Sequence, residues 1–237
     1  MTGIPTDLAL GGVCAWTLPT DASGPAAARS LLVQAMTALA LPPDTIDDGR
    51  SAVCEAATNA FTHARPEPGE AKLPAPELWI YARTWPQPAL VVSIFDGLPS
   101  ATPHSTAEDP LAESGRGVTI IDALATDWGC RRSRSRLASP VANGKAVWFA
   151  LALPPEWPAR HPPIPPATAA KALQRNLAAR GIESIRHDDA RVSMLELPTL
   201  NIWIDPKHYA WQLHSGNRAR HPLLDLQEAT DRLLDDL

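Results

Sequence analysis

Residues 53–64, VCEAATNAFTHA, are the most informative stretch of the chain. Glu55, Asn59 and His63 recur at four-residue spacing, which in a helix stacks them on one face about 5–6 Å apart. Val53, Ala56, Ala57, Ala60, Phe61 and Ala64 supply an apolar remainder suited to packing. A carboxylate, an amide and an imidazole in line can position a water or hydroxyl and offer an oxygen ligand to Mg²⁺. A solvated polar stripe on an amphipathic helix is the alternative reading of the same spacing.

Working outward, residues 44–64 predict a helix with Asp44, Asp47 and Asp48 near its start, where negative charge suits the helix dipole. Upstream, 12–18 (GVCAWTL) predicts a strand, and the Ala- and Leu-rich run 22–41 predicts a helix. Asp21 is placed to cap that helix, and Pro42-Pro43 to stop it. Downstream, 77–84 and 89–96 predict strands joined by the proline-bearing turn 85–88. A helix over 117–126 and strands over 128–133 and 145–153 complete this part. Consecutive strands joined by short turns imply antiparallel pairing, so the fold class is α+β, a two-layer α/β sandwich rather than a doubly wound parallel sheet.

Proline is concentrated in one place: seven of the thirteen residues from 154 to 166. Such a run favours extended backbone, and reads as a semi-rigid linker; a long surface loop is the alternative. The expected organisation is therefore residues 12–153, a linker over 154–166, and a small C-terminal α+β domain over 167–237. In that last part 168–180 predicts a helix ended by Gly181, 192–197 and 200–205 a hairpin, 209–214 a third strand and 226–237 a terminal helix. Seventy or so residues make a marginal domain, one that needs to dock on the front half or on a partner. Trp203, Tyr209 and Trp211 are expected in its core, with an exposed aromatic patch as the other option.

Composition narrows the class. The 237 residues carry 21 Lys and Arg against 26 Asp and Glu, a formal net charge of −5, and 45% are hydrophobic. That excludes a disordered acidic tail or a coiled coil, and argues against a dedicated nucleic-acid binder. No apolar run approaches a membrane span and no leader opens the chain, so a cytoplasmic protein is expected. Cys14, Cys54 and Cys130 are too few and too scattered for a disulfide framework. The C-terminal histidines His187, His208, His214 and His221 have no cysteine at zinc-ligand spacing.

Two further segments carry chemistry. In 94–100 (IFDGLPS), Asp96 stands where an apolar strand runs out into a Gly-Pro turn, and taken alone it reads as a capping or turn residue. In 113–118 (ESGRGV), two glycines precede an apolar helix, an arrangement that brings backbone N–H groups to an anion or simply makes a tight turn. The latter is neither a P-loop nor a dinucleotide fingerprint.

Taken in order, Glu-x3-Asn-x3-His on a helix, Asp-Gly at a strand end, and Gly-Arg-Gly opening a helix before paired strands resemble the GHKL ATPase superfamily. The chain is closest in pattern to the anti-sigma-factor serine-protein kinase branch, across residues 12–153. DDGRSAVCEAATNAFTHA is similar to its N box, and GRGVTIIDALATDWG and GKAVWFALAL to its later motifs. The resemblance implies a histidine-kinase-like ATPase fold that binds ATP and Mg²⁺. By it, Glu55 activates the attacking group, Asn59 holds Mg²⁺ and Asp96 accepts from the adenine amino group. Gly115, Arg116 and Gly117 line the triphosphate, His63 lies near the phosphates or is structural, and 100–114 forms a lid. It further implies a sigma factor or an anti-anti-sigma protein as partner, and a homodimer.

The chain departs from that pattern at Leu98, where relatives carry a glycine, and at Ala146, where a threonine hydroxyl helps bridge Asp to adenine. Those changes keep open an ATP-gated or nucleotide-free binding module without phosphotransfer. A histidine-kinase catalytic domain is not expected, because only eleven residues precede the first strand.

Overall fold

A 3-10 helix at Pro5–Leu10 leads into β1 (Val13–Thr17), α1 (Gly24–Ala38), α2 (Pro43–His63), β2 (Glu77–Arg83), β3 (Ala89–Asp96), α3 (Arg116–Leu124), β4 (Asp127–Arg134) and β5 (Asn143–Ala152). The computed structural model describes residues 5–63, 73–98, 116–157, 162–213 and 215–237. Apart from the opening 3-10 turn, this is the expected order of elements. The strands form one antiparallel sheet in the order β1-β2-β3-β5-β4.

Side chains alternate across a strand, so the sheet has two distinct faces. Leu78 and Ile80 of β2, Leu90, Val92 and Ile94 of β3, and Val147, Phe149 and Leu151 of β5 face the helices. There they join Leu32 and Met36 of α1, Val53, Ala56, Ala57 and Ala60 of α2, and Ile121 of α3 in one buried core. The small residues at 56 and 57 let α2 lie close to the sheet, which is the packing role expected of them. Asp21 is not the cap of α1. Its carboxylate accepts from Ser23 N at 2.8 Å and from Ser23 Oγ, tightening the turn before the helix, and Ser23 takes the cap position without a side-chain bond.

Two helices, of fifteen and fourteen residues, end by the same motif with different residues. After α1, Leu41 N donates to Met36 O and Ala40 N to Thr37 O, with Ala40 at φ 54°. After α4 (Pro166–Ala179), Ile182 N donates to Leu177 O and Gly181 N to Ala178 O, with Gly181 at φ 69°. Glycine occupies this left-handed position without strain, whereas alanine does not.

The C-terminal part continues with β6 (Ile185–Asp188), β7 (Ser193–Glu196), β8 (Asn201–Ile204), β9 (His208–Gln212), β10 (Arg218–Pro222) and α5 (Leu226–Asp236). Its strands form a second antiparallel sheet, ordered β10-β9-β8-β7-β6. A second buried core joins Leu173 and Leu177 of α4, Leu195, Ile202, Ile204, Tyr209 and Trp211 of the sheet, and Leu233 of α5. Tyr209 and Trp211 are thus core residues as expected. Trp203 is not: β8 alternates, and it points to the other face with 53% of its surface exposed. The expected hairpin and third strand are present, the latter ending at Gln212. Edge strands β6 and β10 were not anticipated, because charge rather than apolar alternation fills them. Edges of that kind resist further pairing. Of the proline-rich segment, Trp157 packs on the first core and Ile164 on the second; residues 158–161 lie outside the described set.

The outer face of the first sheet is buried as well. Every residue of β2 and β3 is buried. The C-terminal part docks here through α5, and charged side chains from both sides meet in the contact, with Arg83 Nε, Arg131 Nε, Arg136 Nε and Asp231 Oδ2 left without a hydrogen bond. Tyr81 OH donates to Glu228 Oε2 at 2.7 Å and accepts from Arg131 Nη2 at 2.9 Å. Glu228 Oε1 also lies 3.5 Å from Arg131 Nη1, 3.7 Å from Arg83 Nη1 and 2.8 Å from Arg232 Nε. All three guanidinium groups lie over the Trp148 ring, at 5.0 to 5.5 Å. A second set centres on Asp231, which takes Arg136 Nη2 at 3.1 Å and Arg180 Nη2 at 3.0 Å, both cations lying over Trp79. Arg180 also donates to Arg134 O. Finally, Asp225 accepts from Thr84 N, Thr84 Oγ1 and Trp85 N at 2.6 to 3.0 Å, tying the β2–β3 turn to the start of α5.

Burial and charge set the titration of this layer. Burial pushes Glu228 upward, but Arg131 and then Arg232 outweigh it and hold the carboxyl at about 2. Asp225 has donors but, among the described residues, no ion-paired cation, and burial pushes it up to about 6. His221, stacked on Trp211 at 5.2 Å, is pushed down by burial to about 4.

Candidate functional site

The apolar face of α2 fixes which way its polar face looks. With Ala52, Val53, Ala56, Ala57 and Ala60 buried against the sheet, Glu55 and Asn59 are left half-buried on the flank toward α3. α3 opens against them: a Cβ on Gly117 would lie 2.8 Å from Glu55 Oε2 and 3.5 Å from Asn59 Nδ2. Glycine at 117 is what lets the first turn of α3 come so close. Val118 and Ile121 anchor the helix by its buried side. A carboxylate, an amide and the N–H-rich start of a nine-residue helix therefore share one locus. Among the described residues, the side chains of Glu55 and Asn59 make no hydrogen bond or ion pair.

Asp96 ends β3 and is buried. It follows Val92 and Ile94 on the helix-facing side, and its Oδ1 accepts from Leu98 N at 3.0 Å. The same oxygen takes Lys145 Nζ at 2.8 Å, and Lys145 donates again to Leu98 O at 2.9 Å. Register explains the meeting: β3 and β5 pair Asp96 directly with Lys145. Gly144 permits the approach, since a Cβ there would fall 2.0 Å from Asp96 O.

This register corrects one expectation. Ala146 pairs with Phe95 and packs with Trp79 and Ala15 on the outer face, so a hydroxyl at 146 would point away from Asp96. The side chain that meets Asp96 is Lys145, which sequence reasoning passed over. Its only signal was position, the third residue of β5, opposite the end of β3. Cys130 is close enough to feel both charges, but burial pushes its thiol up to about 11, so it stays protonated and unreactive.

Of the remaining candidates, His63 is the last residue of α2 and Arg116 the first of α3, and their side chains lie outside what is described. Gly115 and the lid expected over 100–114 also lie outside the described residues. The structure thus gathers Glu55, Asn59 and Gly117 at one place, and Asp96 with Lys145 at another on the same helix-facing side of the sheet.

A family model described as the histidine kinase-like ATPase domain matches residues 18–149, more than half of the chain. The chain belongs to that family. The match runs from just before α1 to within β5, and so includes Glu55, Asn59, Asp96, Gly117 and Lys145. Membership in the histidine kinase-like ATPase family carries ATP binding as its general property. Everything after 149, including α5 and the second sheet, lies beyond the matched residues. No curated protein matches the chain significantly. Among the described residues, no helix is long and apolar enough to cross a membrane.

Proposed function

We propose that the protein is a cytoplasmic Mg·ATP-binding regulator, an anti-sigma factor that phosphorylates a serine on an antagonist protein. The observation that carries this reading is the closeness of Gly117 to Glu55 and Asn59 at the start of α3. The residues fit the groups they would receive. Asn59 offers a hard amide oxygen suited to Mg²⁺, and the glycine leaves backbone N–H groups open to phosphate. Bound Mg²⁺ would supply charge neutralisation at the phosphates. Glu55 is the general base that takes the proton of the attacking serine hydroxyl. Asp96 accepts from the base of the nucleotide, and Gly115 and Arg116 line the phosphates with Gly117. Residues 12–153 form the catalytic unit, and residues 167–237 select the partner, a sigma factor or an anti-anti-sigma protein. The working form is a homodimer.

The test is calorimetry of Mg·ATP binding to the wild type, Asn59→Ala and Asp96→Ala, followed by radiolabel transfer to a candidate antagonist. Binding abolished by both substitutions, with transfer lost in Glu55→Gln, is the expected result. A second reading, nucleotide-gated partner capture without phosphotransfer, is favoured by the Lys145–Asp96 ion pair, and binding without any transfer would support it.

A further inference from the structure

We infer that Lys145 lowers the affinity of the nucleotide site: its ammonium occupies the base-reading carboxylate of Asp96 in the free protein and competes with the incoming base. The inference rests on the ATP-binding reading of the same site. Three observations carry it. The ion pair is short, 2.8 Å, and both side chains are at least nine-tenths buried, so solvent does little to weaken it. The sheet register places the two residues opposite one another, so the contact is built into the strand pairing rather than made by a wandering surface lysine. Lys145 also donates to Leu98 O while Leu98 N donates to Asp96, which closes the turn after β3 into a ring of three hydrogen bonds.

A neutral exocyclic amine that replaces an ammonium on a buried carboxylate exchanges a charge-assisted hydrogen bond for an ordinary one, and leaves the ammonium to find new acceptors. Affinity for the base is lowered accordingly. Removing the ammonium removes the competitor, so Lys145 acts here as a brake on binding rather than as a support for it.

The experiment is calorimetric titration of the full chain with Mg·ATP, comparing wild type, Lys145→Met, Lys145→Gln, Asp96→Asn and the double variant Lys145→Met with Asp96→Asn. Methionine keeps the stem's packing without charge, and glutamine keeps a neutral donor. The expected order of affinity is Lys145→Met, then Lys145→Gln, then wild type, with about tenfold or more between the extremes. In the Asp96→Asn background the gain from removing Lys145 should disappear, because there is no carboxylate left to compete for. Melting curves identify any variant that does not fold, and Lys145→Gln carries the test if Lys145→Met fails. Equal or weaker binding by both Lys145 variants, with wild type binding normally, overturns the competition and leaves the nucleotide site standing. Absence of binding by every protein in the set overturns both.

Discussion

Replacing Glu228 by glutamine removes one negative charge from among three guanidinium groups while keeping the side chain's shape. In the wild type Glu228 Oε1 lies 2.8 to 3.7 Å from Arg232, Arg131 and Arg83, and Oε2 accepts from Tyr81. Its carboxyl is held at about 2 against an ordinary 4.5, a gap worth roughly 3 kcal/mol of stability at neutral pH. Removing one member of a buried ion pair independently costs about 3–5 kcal/mol, since the partners are left charged and uncompensated. Here Arg131 keeps Tyr81 OH and Arg83 keeps Asp127, so the lower end applies. The assay is urea unfolding followed by tryptophan fluorescence, and the expected loss for Glu228→Gln at pH 7 is about 3 kcal/mol. The pH dependence has a definite sign. Because the folded carboxyl titrates below the unfolded one, its contribution is present above pH 4.5 and is lost as pH falls through 2. The gap between wild type and variant should therefore be constant at neutral pH and shrink from about pH 4.5 downward. A difference under about 1 kcal/mol at pH 7, or one that does not shrink in acid, would refute the claim that this carboxylate holds the outer layer together.

Other consequences are equally open to measurement. Ala40→Gly should raise stability by about 1 kcal/mol, because Ala40 holds the left-handed position that Gly181 fills at the end of α4; an unchanged denaturation midpoint would contradict it. Gly117→Ala should leave the melting temperature nearly unchanged, since the displaced atom is the far end of the Glu55 side chain, yet reduce the proposed phosphotransfer up to about 100-fold, as radiolabel transfer would read. Asp225 and His221 pull stability in opposite directions: Asp225, raised to about 6, makes it fall as pH rises from 3.8, whereas His221, lowered to about 4, makes it rise toward pH 6.5. Asp225→Asn should uncover the histidine, giving a profile that climbs by roughly 3 kcal/mol between pH 4 and 6.5; a flat profile in the variant would count against the assignment of His221.

The docked α5 changes how the sequence should be read. The runs ALVVSIFD in β3 and KAVWFALA in β5 are apolar at nearly every position, where a sheet covered on one face would alternate. That continuity was the available sign that something covers the outer face. What covers it was hidden, because α5 presents Gln227, Glu228 and Asp231 to the contact and so looks solvent-facing. Arginines lying over Trp79 and Trp148 make that polar surface compatible with burial.

Local periodicity was enough for the order of the first eight strands and helices after the opening turn, for the stacking of Glu55 and Asn59, and for the glycine-marked start of α3. Each of these depends on residues a few positions apart, whose relation the backbone geometry dictates once a helix or strand forms. The meeting of Asp96 with Lys145 depends on something else, the register between two strands whose residues stand 49 apart in sequence. A shift of one residue there would have brought position 146 round to Asp96 and sent Lys145 to the outer face. Likewise Glu228 finds Tyr81 across 147 residues, through a contact that no spacing encodes. The elements from β1 to β5 and the polar face of α2 were thus written in the chain itself, while strand register and the docking of α5 decided which charges meet.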